Sequence, residues 1–503
     1  MNNLSGNDEK KGQTFVKQIW ICGIAAGVSI VGYIIAAGWF YQIGFPLDDA
    51  WIHQTFARNL AQFREWAFIP GKPSAGSTSP AWTVLLSFGY LFQVEVPFVW
   101  TFFLGLLTLW AIGLLSQRLF ATSDVPRFRS LPWLGLFLIF EWHLVWAASS
   151  GMETSLMAVM TLGVFGSLAR GGKQLWIAAF LAGLSVWIRP DGLTLLGPVI
   201  VIAALGGKTV IKTIKSVWIC GLIFLIPFGL YVIFNWIVGG NLWPNTFYAK
   251  QAEYAELLLQ PFFLRFGNLA VLPLIGAGIL LVPGFLFSAW QAIKARRWIH
   301  LVMFAWWVGY TGLYALRLPV VFQHGRYLIP AMPVFFILGL LGTFSILKNI
   351  PKPIILNRMI GRVFYLSCPA VLIGFYFLGM QAYSRDVAII ETEMVKTAQW
   401  INENLPPSAV LAAHDIGAIG FYTKNDLVDL AGLVSPEVIP FIRDETKLEA
   451  HLNQSEVDYL ITFPGWYPKL VTKGQQIFSS GGEISIKAGG ENMVVYRWGE
   501  NGP

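Results

Sequence analysis

Asp48 and Asp49 stand side by side in Phe45-Pro46-Leu47-Asp48-Asp49-Ala50, just past an uncharged run from Ile19 to Ile43. That run, roughly 25 residues, is long enough to cross a hydrocarbon core of about 30 Å. Adjacent carboxylates where a helix leaves a membrane are costly to place and poorly explained by packing. His53 and Arg58 follow on the helical-looking stretch Ala50–Phe63. Further along come Glu153 after Ser149-Ser150-Gly151-Met152, and Arg189-Pro190-Asp191-Gly192. Two more stretches are Pro244-Asn245-Thr246-Phe247-Tyr248-Ala249-Lys250 and His324-Gly325-Arg326-Tyr327. This set mixes carboxylates and cations, without a Ser/His/Asp arrangement, a Walker loop or a His-rich metal motif. It suits transfer of a group from a phosphate leaving group to a hydroxyl. A carboxylate takes the hydroxyl proton as the new bond forms. Fixed positive charge meets the departing phosphate. Arg326 is the first choice for that phosphate because guanidinium binds phosphate oxygens as a bidentate fork; Lys250 and Arg189 come second, with His324 beside Arg326.

The elements that must position these groups are membrane-spanning. The chain is 55% hydrophobic and only 13% charged, against about 25% charged for a soluble protein. Its formal charge of +7 therefore reads as basic loops on one side of a membrane, not as nucleic-acid binding. Cys22, Cys220 and Cys368 lie in apolar runs with no metal-type spacing and read as packing residues. The first apolar run is too long for a signal-peptide core and is expected to be retained. Apolar runs at 19–43, 98–117, 131–148, 152–169, 174–188, 192–206, 216–238, 269–290, 298–316, 327–347 and 361–381 predict about 11 transmembrane helices. Ser79–Phe92 is short for a span and reads as interfacial. With that choice the inner loops hold most of the Lys and Arg, including Lys10, Lys11, Lys17, Arg118, Arg127, Arg129, Lys208, Arg296, Arg297 and Lys352. The positive-inside rule then predicts N-in, C-out.

The expected organisation is a cytoplasmic tail 1–18 whose first dozen residues are unstructured, and a transmembrane domain 19–381 whose first outer loop, 44–97, carries interfacial helices. A soluble extracytoplasmic α/β domain, 382–503, follows. There, Arg385–Asn404 has helical periodicity, and Val410–Ala413, Leu427–Leu430, Val457–Phe463, Ile484–Lys487 and Met493–Trp498 read as strands. On this topology all five polar stretches fall on one face. Each also has a plainer reading. The Asp pair can be solvated at the surface, Arg189 and Asp191 can cap a helix together, and Glu153 can complement a helix dipole. Lys250 can snorkel, His324 and Arg326 can anchor to headgroups, and Trp51, Trp66, Trp82 and Trp243 can form an aromatic belt. Glu141 and His143, inside the third run, read as a buried pair. Asp415, Asp429 and Tyr422 read equally as a sugar-binding edge or an ordinary α/β turn.

Leu47-Asp48-Asp49-Ala50-Trp51-Ile52, Ala57-Arg58-Asn59-Leu60, Ile69-Pro70-Gly71 and Gly76-Ser77-Thr78-Ser79-Pro80-Ala81-Trp82 together resemble the first-loop signature of bacterial GT-C glycosyltransferases. Within them, the chain is similar to the actinobacterial terminal β-arabinofuranosyltransferase group and its relatives. Ser150-Gly151-Met152-Glu153-Thr154, the Arg189, Asn245–Lys250 and His324–Tyr327 blocks, and Asp415–Phe421 with Val428–Leu433 resemble recurring blocks of that group. The resemblance implies a polyprenyl-phosphate sugar donor, a glycan or glycolipid acceptor of the cell envelope, and an exoplasmic site in the inner or plasma membrane. It also implies Asp48 or Asp49 as general base, with inversion at the sugar. His53, Arg58, Glu153, Asp191, Asn245 and Tyr248 are then candidates for substrate contact. His53 and Gln54 depart from the group's usual aromatic or small residues, which bears on acceptor preference. Some GT-C enzymes use a divalent cation and others none; if Mg, Mn or Ca binds, Asp48 and Asp49 are the candidate ligands. Competing readings are a transporter or lipid flippase and a non-catalytic scaffold. The first would place ionisable residues deep in spans, often with a two-fold repeat, which this sequence lacks apart from Glu141.

Overall fold

The computed structural model describes residues 2–92, 95–120, 131–207, 209–349 and 355–499. Arg127, Arg129, Lys208 and Lys352, part of the expected charge bias, lie outside the described residues. Helix α1 (Asn2–Phe40) takes in the polar leader expected to be unstructured. Among the described residues, seven helices are long and apolar enough to cross a membrane: Thr14–Phe40, Phe98–Phe120, Val210–Gly239, Ala277–Lys294, Trp298–Arg317, Phe322–Asn349 and Gly361–Asn404. The other expected runs are shorter helices, such as Thr154–Arg170 and Gln174–Ser185. The run 131–148 is broken into Trp133–Phe140 and Trp142–Ser149. The break falls at Glu141, whose carboxylate accepts the Leu144 N–H and pairs with His143 Nδ1 at 2.8 Å. A buried carboxylate is thus consumed by capping the helix it interrupts.

The share of each span buried inside the protein ranges widely. Over an 18-residue apolar window it is 83% in Phe322–Asn349, at the centre of the bundle, but 22% in Val210–Gly239 and 17% in Gly361–Asn404. These outer helices present Trp218, Leu225, Ile233, Leu366 and Phe377 outward, as helices facing lipid do. The chain is a multi-pass membrane protein.

The segment after α1 builds the floor of the site. Helix α2 (Asp48–Phe63) opens on the aspartate pair, where carboxylates complement the helix dipole, and ends at Arg64 in the left-handed region. Strands β1 (Ala67–Ile69) and β2 (Lys72–Pro73) form a hairpin through Pro70-Gly71, with Gly71 at φ +80°. Asn59 Nδ2 donates to the Ala67 and Phe68 carbonyls and ties this hairpin to α2. Helix α3 (Pro80–Tyr90) then packs along α2. Trp51 and Trp82 are fully buried, with Trp82 Nε1 donating to the Gly151 carbonyl. They belong to the core and not to an aromatic belt.

The last span continues past the bundle through a π-helical turn, Glu391–Val395, into Lys396–Asn404. A five-stranded sheet follows: β3 (Val410–Ala413), β4 (Asp426–Asp429), β5 (Tyr459–Thr462), β6 (Gln475–Ser479) and β7 (Val494–Arg497), in the order β4-β3-β5-β7-β6. Pairing of β3 with β4 and β5 is parallel, and β7 is antiparallel to β5 and β6. Strand alternation divides the side chains between two cores. Ala412, Leu460, Val494 and Tyr496 pack with the domain's own helix residues Leu448 and Leu452. Leu411, Ala413, Ile461 and Val495 join the core of the membrane body. The sheet domain therefore sits on the bundle by its own strand faces. Ile484–Lys487, expected as a strand, is the helix Glu483–Lys487. Gln475–Ser479 fills the sheet edge instead, because alternating Ile residues fit either state until an edge partner is available.

Candidate active site

Two neighbouring cavities that share lining residues lie in the membrane body and against the sheet domain. The smaller, about 290 Å³, runs between helices and is lined by Asp49, His53, Glu153, Arg189, Asp191, Trp243, Lys250, Arg317 and Arg326, with Leu193, Leu313 and Leu318. The larger, about 900 Å³, is a cleft below the sheet domain, lined by Asp48, Asp49, Lys250, Glu253, His324, Arg326, Asp386, His414, Asp415 and Trp466. Asp49, Lys250 and Arg326 line both. One carboxylate and two cations thus mark the junction.

The adjacent aspartates have different partners. Asp49 pairs with the Arg326 guanidinium and, at 3.4 Å, with Lys250 Nζ, and its side chain remains 24% exposed. Burial alone would raise its carboxyl, but Arg326 and then Lys250 outweigh burial and hold it below the ordinary carboxylate range. Asp48 instead accepts backbone N–H groups of Gly417 at 2.6 Å and Ala418 at 2.8 Å, one on each oxygen. Burial first, then the charge of Asp415, raise its carboxyl against those two hydrogen bonds. Asp415 is raised by its own burial. The two carboxyls resist being ionised together.

Arg326 is delivered by an unusual turn. Gln323, His324 and Gly325 all have positive φ, at 53°, 56° and 66°. Left-handed backbone costs non-glycine residues about 1–2 kcal/mol each, so neighbours must hold it. His324 Nε2 pairs with Asp386 Oδ2 at 2.7 Å, and Trp146 Nε1 donates to the same oxygen at 3.0 Å. The rings of Trp142 and Trp146 meet the imidazole edge-on, centroids 5.3 and 5.1 Å away. Arg326 then donates to the Tyr327 hydroxyl at 3.1 Å, as does Lys250 at 3.2 Å. The imidazole, expected beside the phosphate-binding groups, is used to hold the turn.

A second cluster supports the smaller cavity. Arg189 meets Glu153 at 3.0 Å, Asp191 at 3.1 Å and the Tyr314 hydroxyl at 3.0 Å. Its charge is thereby matched, so it braces the wall and leaves Arg326 and Lys250 as the cations nearest the junction. Glu153 also faces His53 Nε2 at 3.5 Å, and His53 Nδ1 lies 3.4 Å from the Thr83 hydroxyl.

Three expected contacts lie elsewhere. Arg58 Nη1 donates to the Phe421 carbonyl at 2.5 Å and Nη2 to the Gly420 carbonyl at 3.3 Å, so it fastens the sheet domain. Asn245 Nδ2 donates to the Leu433 carbonyl at 3.2 Å, a second fastening. Tyr248 packs edge-on against Phe247 and lines neither cavity. Sequence reasoning missed Asp386, Glu253, His414 and Tyr327 as site residues. Tyr327 sat inside a quoted motif; Asp386 looked like any polar residue on the helix leaving the last span.

Among the described residues, no group of three or more His, Cys, Asp or Glu is arranged to hold a metal. Both Asp48 oxygens are occupied by N–H donors, and Asp49 faces two cations. This pair is a poor fit to a divalent ion.

Comparison with solved structures identifies the architecture. ArnT from Cupriavidus metallidurans bound to undecaprenyl phosphate aligns over 96% of this chain and 99% of its own, with TM-score 0.60 and 14% identity. Its apo state aligns over 95% and 97%, with TM-score 0.58 and 13% identity. The archaeal oligosaccharyltransferase AglB from Archaeoglobus fulgidus, in complex with an inhibitory peptide and a dolichol-phosphate, aligns over 98% of this chain and 75% of its own, with TM-score 0.57 and 12% identity. The chain therefore has the GT-C fold. Residues 384–496 match a family model described as a domain of unknown function (DUF8728). No curated protein matches the sequence.

Proposed function

We propose that this protein is a membrane glycosyltransferase that moves a sugar from a polyprenyl-phosphate-linked donor to a hydroxyl of a cell-envelope glycan or glycolipid. The observation that carries this reading is the Asp49–Lys250–Arg326 cluster, which lines both the cavity between helices and the cleft under the sheet domain. The bound undecaprenyl phosphate and dolichol-phosphate of the structural neighbours support it. In this reading the lipid-linked phosphate approaches through the smaller cavity and the acceptor through the cleft.

The resting ion pair has a chemical consequence. A carboxylate held by two cations is a weak base. When the donor phosphate takes the two cations, Asp49 recovers basicity beside the acceptor hydroxyl. The hydroxyl oxygen then bonds to the anomeric carbon as the carbon–phosphate oxygen bond breaks. Its proton passes to Asp49, and the bonding electrons leave with the polyprenyl phosphate, stabilised by Arg326 and Lys250. A single displacement of this kind inverts the anomeric centre. The excess of basic residues in the inner loops favours a site on the periplasmic or extracellular side.

The test is transfer by the purified full-length protein from undecaprenyl-phosphate-linked pentofuranose and hexose donors to envelope glycan fragments, with Asp49→Asn as control. Transfer that depends on Asp49 and releases undecaprenyl phosphate is expected. Lipid translocation in vesicles without any glycosidic product would overturn the reading in favour of a flippase.

A further inference from the structure

The larger cleft has a wall that the transfer chemistry leaves unused. It belongs to the sheet domain and comprises His414, Asp415, Trp466 and Tyr467. Asp415 Oδ2 is buried yet has no hydrogen-bond partner among the described residues, an arrangement that is costly unless a ligand supplies one. Trp466 keeps 49% of its surface exposed and is braced edge-on by His414 at 4.8 Å. His414 is itself fixed, by the Tyr467 hydroxyl at 2.7 Å and by Glu253 at 3.5 Å. An exposed indole face and an unsatisfied carboxyl on the wall of one cleft fit a saccharide: the indole takes the C–H face of the ring and the carboxyl takes a hydroxyl.

The chain also sets where this wall stands. Asp415 directly precedes Ile416-Gly417-Ala418, and the N–H groups of Gly417 and Ala418 are the ones that Asp48 binds. One carboxylate of the aspartate pair therefore docks the sheet domain, while its neighbour faces the cations. A Cβ at Gly417 would clash with the Asp48 carbonyl oxygen, so the close approach requires glycine. Gly417 and Ala418 begin the short helix Gly417–Tyr422, and Arg58, through the Gly420 and Phe421 carbonyls, secures its other end.

We infer that the sheet domain supplies the acceptor subsite: Asp415 Oδ2 bonds a non-reacting hydroxyl of an acceptor saccharide whose ring lies against Trp466, and the Asp48 clamp sets its distance from Asp49. This rests on the glycosyltransferase reading and gives the sheet domain a role within it. Asp415 keeps its hydrogen bond throughout the transfer and takes no proton from the reacting hydroxyl. The charged groups around it are His414, Glu253, Lys250, Asp49 and Asp48.

The test separates the two ligands on the full-length protein in detergent. Undecaprenyl phosphate probes the donor side, and a panel of methyl furanosides and pyranosides, read by saturation-transfer NMR, probes the acceptor side. At least one methyl glycoside should bind the wild type. Asp415→Ala should weaken it roughly tenfold or more, as for a lost hydrogen bond to a charged group, and Trp466→Ala should weaken it to a similar extent through loss of the ring contact. Asp415→Asn should rescue part of that loss, and Gly417→Ala should reproduce it with Asp415 still present. Undecaprenyl phosphate affinity should stay within about twofold of wild type in all four variants. Equal glycoside binding by wild type, Asp415→Ala and Trp466→Ala would overturn the subsite. So would glycosides that never bind while undecaprenyl phosphate does, and the functional proposal would then stand alone. Failure of undecaprenyl phosphate to bind the wild type would reject that proposal itself.

Discussion

Asp49→Asn should abolish transfer and yet tighten the binding of polyprenyl phosphate. In the resting protein Asp49 competes with any phosphate for Arg326 and Lys250. Unit charges about 4 Å apart attract by about 4 kcal/mol at an effective dielectric of about 20. Asp49 is 24% exposed, so solvent absorbs much of this attraction. Removing the competitor should then favour phosphate by about 1–2 kcal/mol, a roughly five- to thirty-fold lower Kd. Transfer should fall by about 10²–10⁴, the usual contribution of a general base. Arg326→Gln, in contrast, should weaken both binding and transfer. The assay is titration of undecaprenyl phosphate by microscale thermophoresis, paired with product formation under the same conditions. Weaker phosphate binding by Asp49→Asn than by the wild type would refute the competition argument, and undiminished transfer would refute the assignment of the base.

Asp386→Asn should loosen the left-handed turn before Arg326, because His324 and Trp146 share that carboxylate oxygen. Undecaprenyl phosphate affinity should fall several-fold although Asp386 lies outside the phosphate-binding pair, and unchanged affinity would show the turn needs no such support. Glu153→Gln removes a buried partner of Arg189 but leaves Asp191 in place. About 3 kcal/mol of stability should be lost, visible as a lower midpoint in thermal unfolding. Dependence on pH should show two opposite trends. Asp48 and Asp415 are raised, so the folded state holds more protons than the unfolded one above the ordinary carboxylate value of roughly 4, and their contribution weakens as pH rises from there. Asp49 is lowered; its contribution is complete above roughly 4 and is lost as pH falls below it. The unfolding midpoint of Asp415→Asn should therefore vary less with pH than that of wild type between roughly 4 and about 6, and follow wild type below that window.

Hydropathy made the membrane body legible because lipid imposes one local rule, a long apolar helix, on every span. The spans from 98 to 120 and 298 to 317 are where that rule places them. The same rule missed the break at Glu141, since a carboxylate that caps a helix is satisfied by groups a few residues away and leaves the run looking continuous. In the sheet domain β3 was readable from its apolar run, whereas 484–487 was not, because its state depends on which segment reaches the sheet edge.

For the site, residue types and a shared face were enough to bring Asp49, Glu153, Arg189, Lys250 and Arg326 into consideration, and all five line the smaller cavity. Sequence could not divide the work between two identical neighbours. Asp48 and Asp49 differ only in the direction each takes from the first turn of one helix, about 100° apart. That rotation sends one carboxylate to backbone N–H groups of a domain more than three hundred residues away in sequence and the other to two cations. Local chemistry chose the residues; long-range packing assigned each its partner, because hydrogen bonds and ion pairs act only over a few ångströms in space.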